Sequence, residues 1–114
     1  MNAYEIPGCV RFTLNATTAC EQYRFVKANA KGGCAHATAA TDPIVGVAYT
    51  AAAATQPLSI VNNGIAMVEA SAAIEAGAKV SPTTDGKAVA DSSTGKFVAL
   101  TAATAAGQLI SVLL

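Results

Sequence analysis

The only histidine, His36, stands two residues after Cys34 and six before Asp42. On an extended segment Cys34 and His36 point to the same side, which is a start for a metal site. Such a site needs a third and usually a fourth ligand of matching type, and no other cluster supplies them. His36 is therefore read as a loop or solvent histidine. The acidic residues Glu5, Glu21, Asp42, Glu69, Glu75, Asp85 and Asp91 are scattered, mostly beside turn residues, and form no pair spaced for acid–base work. Gly86-Lys87 and Gly95-Lys96 lack the upstream glycine and downstream hydroxyl of a phosphate-binding loop, and no G-x-S-x-G elbow occurs. Asn15-Ala16-Thr17 has the form of a glycosylation sequon. Because Met1-Asn2-Ala3-Tyr4-Glu5 has neither the charged start nor the apolar run of a signal peptide, the sequon is taken as chance. No catalytic, cofactor-binding or metal-ligating residue is assigned, no cofactor is expected, and the chain is not expected to be an enzyme.

The charge balance excludes further classes. Seven basic residues face seven acidic ones in 114 residues, with no basic stripe to release counterions from phosphates and no basic amphipathic run for a membrane surface. Neither a nucleic-acid nor a membrane partner is expected. Stretches 43–68 and 97–114 carry no charge, but turn residues and several polar groups interrupt both. They read as strand–loop–strand units rather than membrane spans. There is no tryptophan to build an exposed stacking platform. Cys9, Cys20 and Cys34 form an odd set without a C-x-x-C pair, so free thiols are expected.

The elements follow from period and punctuation. Val10, Phe12 and Leu14 alternate with Arg11, Thr13 and Asn15, the pattern of a half-buried strand. Tyr23–Lys27, Cys34–Ala37 and Ile44–Tyr49 read as further strands, with Gly46 marking a close approach or a bulge. Asn62-Asn63-Gly64 predicts a tight hairpin between Leu58–Val61 and Ile65–Val68. Ser71–Ala76 is expected as one helical turn stopped at Gly77. Ala78–Ser81 and Lys87–Ala90 flank a turn at Pro82–Gly86, and Lys96–Thr101 and Leu109–Leu114 close the chain. Short strands at this spacing predict an all-β fold, a small single-domain β-barrel or sandwich over residues 1–114, with residues 1–8 as an N-terminal arm. A faint echo links Ile44–Val61 to Phe97–Val112, each a strand, an Ala/Thr loop and a strand, which suggests that both halves share one barrel.

From residue 44 onward the phrases also resemble a known family. Ile44-Val45-Gly46-Val47-Ala48, Gly64-Ile65-Ala66-Met67-Val68, Ala72 to Val80, Asp85-Gly86-Lys87-Ala88-Val89 and Thr104 to Val112 follow one another as in small tailed-phage capsid decoration, or cement, proteins. The resemblance implies a structural virion protein that binds the outer surface of the assembled capsid and stabilises it. It implies the major capsid protein as partner and a homo-oligomer, with a trimer favoured over a dimer. It places the protein on the capsid exterior after assembly in the host cytoplasm. A head-fibre base or a carbohydrate-binding adhesin domain is the alternative. For the contact surface, Tyr4 and Ile6 share one side of an extended stub before Pro7-Gly8, suited to adding to a strand edge. The Ala/Thr loops around Ala51 and Thr55, and around Ala102 and Thr104, are the other candidates.

Overall fold

The computed structural model describes residues 10–30 and 32–114. Ten strands follow in chain order: β1 (Val10–Asn15), β2 (Phe25–Ala28), β3 (Cys34–His36), β4 (Ile44–Ala48), β5 (Pro57–Asn63), β6 (Ile65–Glu69), β7 (Lys79–Pro82), β8 (Ala88–Ala90), β9 (Phe97–Ala99) and β10 (Leu109–Leu113). They form two five-stranded antiparallel sheets, β1-β5-β4-β2-β3 and β6-β10-β9-β7-β8, packed as a sandwich. The all-β expectation holds. The barrel alternative does not, since each half of the chain builds its own sheet.

The two sheet orders are the same order written twice. Phe12 pairs with Ile60 as Ala66 pairs with Val112, and Val26 with His36 as Val80 with Ala90. The non-ladder bonds repeat as well. Thr17 N–H donates to Cys34 O as Ser71 N–H does to Ala88 O, and Cys20 exchanges bonds with Ala52 as Ile74 does with Ala103. Equivalent residues lie 54 positions apart up to β3 and β8 (Ala16 and Ala70, Cys34 and Ala88), then 51 or 52 apart (Ala52 and Ala103, Thr55 and Gly107). The echo between the two loops is thus the visible part of a duplication covering all ten strands.

Three local expectations are corrected. Asn62-Asn63-Gly64 joins β5 of one sheet to β6 of the other, so it is a corner between repeats and not a hairpin. Gly64 turns there with φ +94°, Asn63 Oδ1 accepts its N–H at 2.7 Å, and its carbonyl accepts from Leu114. The helical turn at Ser71–Ala76 is absent. The Ser71 hydroxyl and N–H both donate to Ala88 O, at 2.9 and 2.8 Å, and Ile74 bridges to Ala103, so the backbone is committed to the sheet. The second strand starts at Phe25 instead of Tyr23, because Tyr23 sits at φ 66° with its N–H bonded to Ala48 O. The reading of Gly46 holds. Its φ is +151°, a Cβ there would meet Val61 O at 2.1 Å, and the β2–β4 register shifts beside it.

Each repeat carries the same seven-residue core. Ala16, Cys20, Val26, Cys34, Ala48, Leu58 and Ile60 are buried in the first. Their equivalents Ala70, Ile74, Val80, Ala88, Ala99, Ile110 and Val112 are buried in the second. The segments 16–24 and 49–56, and their counterparts in the second repeat, fold over part of this inner face and close it. The rest of the inner face of the second sheet packs on the outer face of the first. Phe25, Val47 and Val61 of the first repeat share a cluster with Ala66, Val68 and Phe97 of the second, and Phe25 stacks on Phe97 with ring centroids 5.1 Å apart.

Candidate functional site

The junction between the repeats is clamped by polar groups. Arg24 is nearly buried; its Nη1 donates to Asp85 O at 3.1 Å, and its Nη2 lies 3.5 Å from Glu69 and 3.4 Å from Glu21. Lys87 stands on the other side of Glu69 at 3.2 Å. Phe25 N–H donates to Gly86 O at 2.7 Å and Glu69 N–H to Tyr23 O at 2.9 Å, so backbone bonds cross the seam too. Gly86, at φ +81°, is needed for that approach, since a Cβ there would meet Phe25 O at 2.8 Å. The buried Arg24 guanidinium thus has partners on both repeats and ties them together across the seam. This Arg24 network was not foreseen, and only the excess of charge around positions 21–24 and 85–87 hints at it.

Beside the seam an open groove of about 620 Å³ runs between the outer face of the first sheet and β6, lined by Arg11, Tyr23, Tyr49, Val61, Ala66 and Met67 among others. The Arg11 guanidinium lies over the Tyr49 ring, 4.6 Å from its centroid, at the mouth of this groove. Its walls are mostly apolar, with Arg11, Gln22, Tyr23 and Tyr49 as polar members. A groove of this kind offers contact area and shape.

The outer face of the second sheet is the larger feature. Ile65, Met67 and Leu113 are each 46% exposed, Leu100 42% and Leu109 40%. Leu113 pairs with both Ile65 and Val98, and Met67 with Ser111, so these residues share one face. Charge sits only at the ends of this face: Glu69, paired with Leu109, at one end and Lys79, paired with Val98, at another. Apolar side chains gathered on an exposed sheet face mark an interaction surface.

The sequence-derived site residues divide. Tyr4 and Ile6, with the arm at residues 1–8, lie outside the described residues, as does Cys9. Ala51, Thr55, Ala102 and Thr104 are all exposed and stand on equivalent loops of the two repeats, β4–β5 and β9–β10. The Gln108 side chain caps Thr104, accepting its N–H at 2.8 Å.

His36 is not a loop or solvent histidine. It lies half-buried on edge strand β3, and its Nε2 accepts the Glu21 N–H at 2.9 Å. Burial, and next the Arg24 charge, lower its pKa from the ordinary imidazole value, which keeps the ring neutral and able to accept. No group of three His, Cys, Asp or Glu side chains suited to a metal ion occurs among the described residues. Cys20 and Cys34 are buried and free.

The family model described as "Phage cement protein" matches residues 7–114. The chain belongs to that family. The match begins ahead of β1, so it includes the N-terminal half as well as the later phrases that carry the resemblance. Among solved structures, the N base of the head fibre gp8.5 of bacteriophage phi29 is similar, with a TM-score of 0.74 and 25% sequence identity over 93% of each chain. No curated protein matches. Family and structural neighbour together make this chain a phage structural head protein.

Proposed function

We propose that the chain binds the outer surface of the assembled phage capsid, through the major capsid protein, and stabilises the shell without catalytic chemistry. The observation that carries this reading is the cement-family match over residues 7–114. The arrangement supports it, since an apolar sheet face and the neutral loops bearing Ala51 and Ala102 are exposed and offer contact area. The proposed contacts are Ala51, Thr55, Ala102 and Thr104 on the two equivalent loops, with Tyr4 and Ile6 of the N-terminal segment. The chain acts as a homo-oligomer, so that several modest contacts combine on one shell.

A ligand that binds only the finished lattice stabilises it by mass action, about 2.7 kcal/mol per site at a hundredfold excess over Kd. Repeated over a shell, that small gain becomes a large one. The test is to mix purified protein with expanded heads lacking it, then measure co-sedimentation and the temperature at which the heads open. Bound protein and a raised opening temperature are expected. Heads that neither retain the protein nor gain thermal stability would overturn the reading.

The likeness to the phi29 head-fibre base supports a second reading, in which the same fold seats a fibre on the head. Both readings share attachment to the head surface. They differ in the effect on opening temperature, which only the cement reading requires.

A further inference from the structure

We infer that a second copy of this chain docks head to tail on the outer face of the second sheet, covering it as the second repeat covers the first within one chain. This deepens the oligomeric part of the proposed function and rests on it.

The duplication supplies the argument. Several equivalent positions hold apolar residues in both repeats but differ in burial, whereas Ile65 and Met67 correspond to the exposed Arg11 and Thr13 and lie outside the equivalent contact. On the outer face, Val47 and Val61 of the first repeat are buried under the second repeat, while their equivalents Val98 and Leu113 are partly or largely exposed. On the inner face the asymmetry is reversed. Ala66 and Val68 are buried against the first repeat, whereas their equivalents Phe12 and Leu14 remain partly exposed, with Val45 beside them.

One molecule thus ends in two unmatched apolar surfaces, the outer face of its second repeat and the inner face of its first. These are the two kinds of surface that already meet at the seam. The side chains also exchange bulk in a complementary way. At the seam Phe25 stacks on Phe97; between copies the equivalent residues are Lys79 and Gly46, a long stem facing bare backbone. Within the seam, Val47 and Val61 meet the small Ala66. Between copies, Leu113 and Val98 meet the larger Phe12, which is consistent with a contact of similar form but looser register.

A contact that joins unlike surfaces is heterologous, so repeating it gives a ring when the rotation closes. Such a ring is built from twice as many similar repeats as chains.

The experiment is complementation. Leu113→Glu alters the outer face, and Phe12→Glu the inner one; circular dichroism and thermal melts verify that each variant is folded. Wild-type protein is expected to sediment at a multiple of 11.3 kDa, and each variant alone at 11.3 kDa. An equimolar mixture of Leu113→Glu and Phe12→Glu retains one intact contact and is expected to form a 1:1 heterodimer, which an unfolded partner could not do. A wild-type protein that sediments as a monomer would overturn the inference. So would a mixture that stays monomeric, or a folded Phe12→Glu variant that still self-associates through like faces. Head binding is read separately by co-sedimentation, so monomers that still bind heads would sink this contact and leave the capsid reading standing.

Discussion

Thr55 and Gly107 occupy the same corner of the two repeats, at φ 70° and 90°, and each donates its N–H to the alanine that follows the first strand of its repeat, Ala16 at 2.7 Å and Ala70 at 2.9 Å. One corner is built from glycine, for which a left-handed backbone has no Cβ clash, and the other from a β-branched residue that pays for it. Tyr23 and Gly77 repeat the contrast at φ 66° and 86°. In both pairs the first repeat carries the strained residue.

Replacing Thr55 with glycine relieves that strain but loosens the unfolded chain, and the two effects oppose each other. Relief is about 1–2 kcal/mol and the entropic loss about 0.5–1 kcal/mol. A net gain of about 0.5–1 kcal/mol is expected for Thr55→Gly, or a rise of a few degrees in Tm. The reciprocal Gly107→Thr is expected to lower Tm. Thermal melts of the two variants check both signs.

Much of the fold was legible where side-chain type and backbone demand coincide. Phe12 and Leu14 alternate with Arg11 and Thr13 because only one face of β1 is apolar, and Gly46 marked a close approach, which falls at Val61. The duplication was hidden because equivalent positions hold different residues: Cys20 and Ile74, Phe25 and Lys79, Tyr23 and Gly77. What repeats is burial and backbone hydrogen bonding, which many residue pairs can satisfy. The apolar outer face was hidden for a related reason. Ile65, Ala66, Met67 and Val68 are all apolar, so period two cannot say which row faces out. The Asn62-Asn63-Gly64 signal reported a tight reversal correctly, but a reversal between sheets has the same local chemistry as a hairpin.

Acid should weaken the protein in two steps. His36 accepts the Glu21 N–H only when neutral, and its folded pKa lies below the ordinary value of about 6.5. The unfolded ring therefore takes up a proton first. This stability is complete above about pH 6.5 and declines as pH falls toward the folded pKa. Asp91 follows at lower pH. Thr94 hydroxyl and N–H bonds, with Ser81 and Ser93, hold its carboxyl well below the usual range, so its contribution is lost as pH falls below about 4. Urea midpoints at pH 7.5, 5 and 3 should show both declines. His36→Ala should remove the first, cost about 1 kcal/mol at pH 7.5 and leave head binding unchanged. Asp91→Asn should reduce the second, the remainder coming from Asp42 and Asp85, whose carboxyls are also held below the usual range by hydrogen bonds from Thr38 and Thr83.

Cys20 and Cys34 should be inert in the native protein. Burial pushes the Cys20 thiol up to about 11, and burial raises Cys34 as well. At pH 8 the reactive thiolate of Cys20 is then about one part in a thousand. An alkylating reagent should leave both residues unmodified in native protein. It should modify both in denaturant without any reductant, read by mass spectrometry of the peptides. Failure to label the denatured chain would mean a disulfide and would contradict the free thiols.

The loop contacts make the last prediction, because equivalence constrains geometry. Ala51 and Ala102 sit at matching places on the β4–β5 and β9–β10 loops, both exposed. If repeats follow one another around a single rotation axis, every copy of that loop points to the same end of the ring. Both loops then face the shell together, and a substitution in either should act alike. Ala51→Lys and Ala102→Lys are surface changes on short loops, expected to shift stability by no more than about 0.5 kcal/mol. Each is expected to weaken retention on expanded heads by a similar factor, with the double variant weaker again. Retention measured by co-sedimentation across a salt series separates lost contact from simple charge repulsion, which salt would screen. Loss in one variant with none in the other would contradict a common axis. Full retention in both would move the shell contact away from these loops, to the N-terminal segment bearing Tyr4 and Ile6.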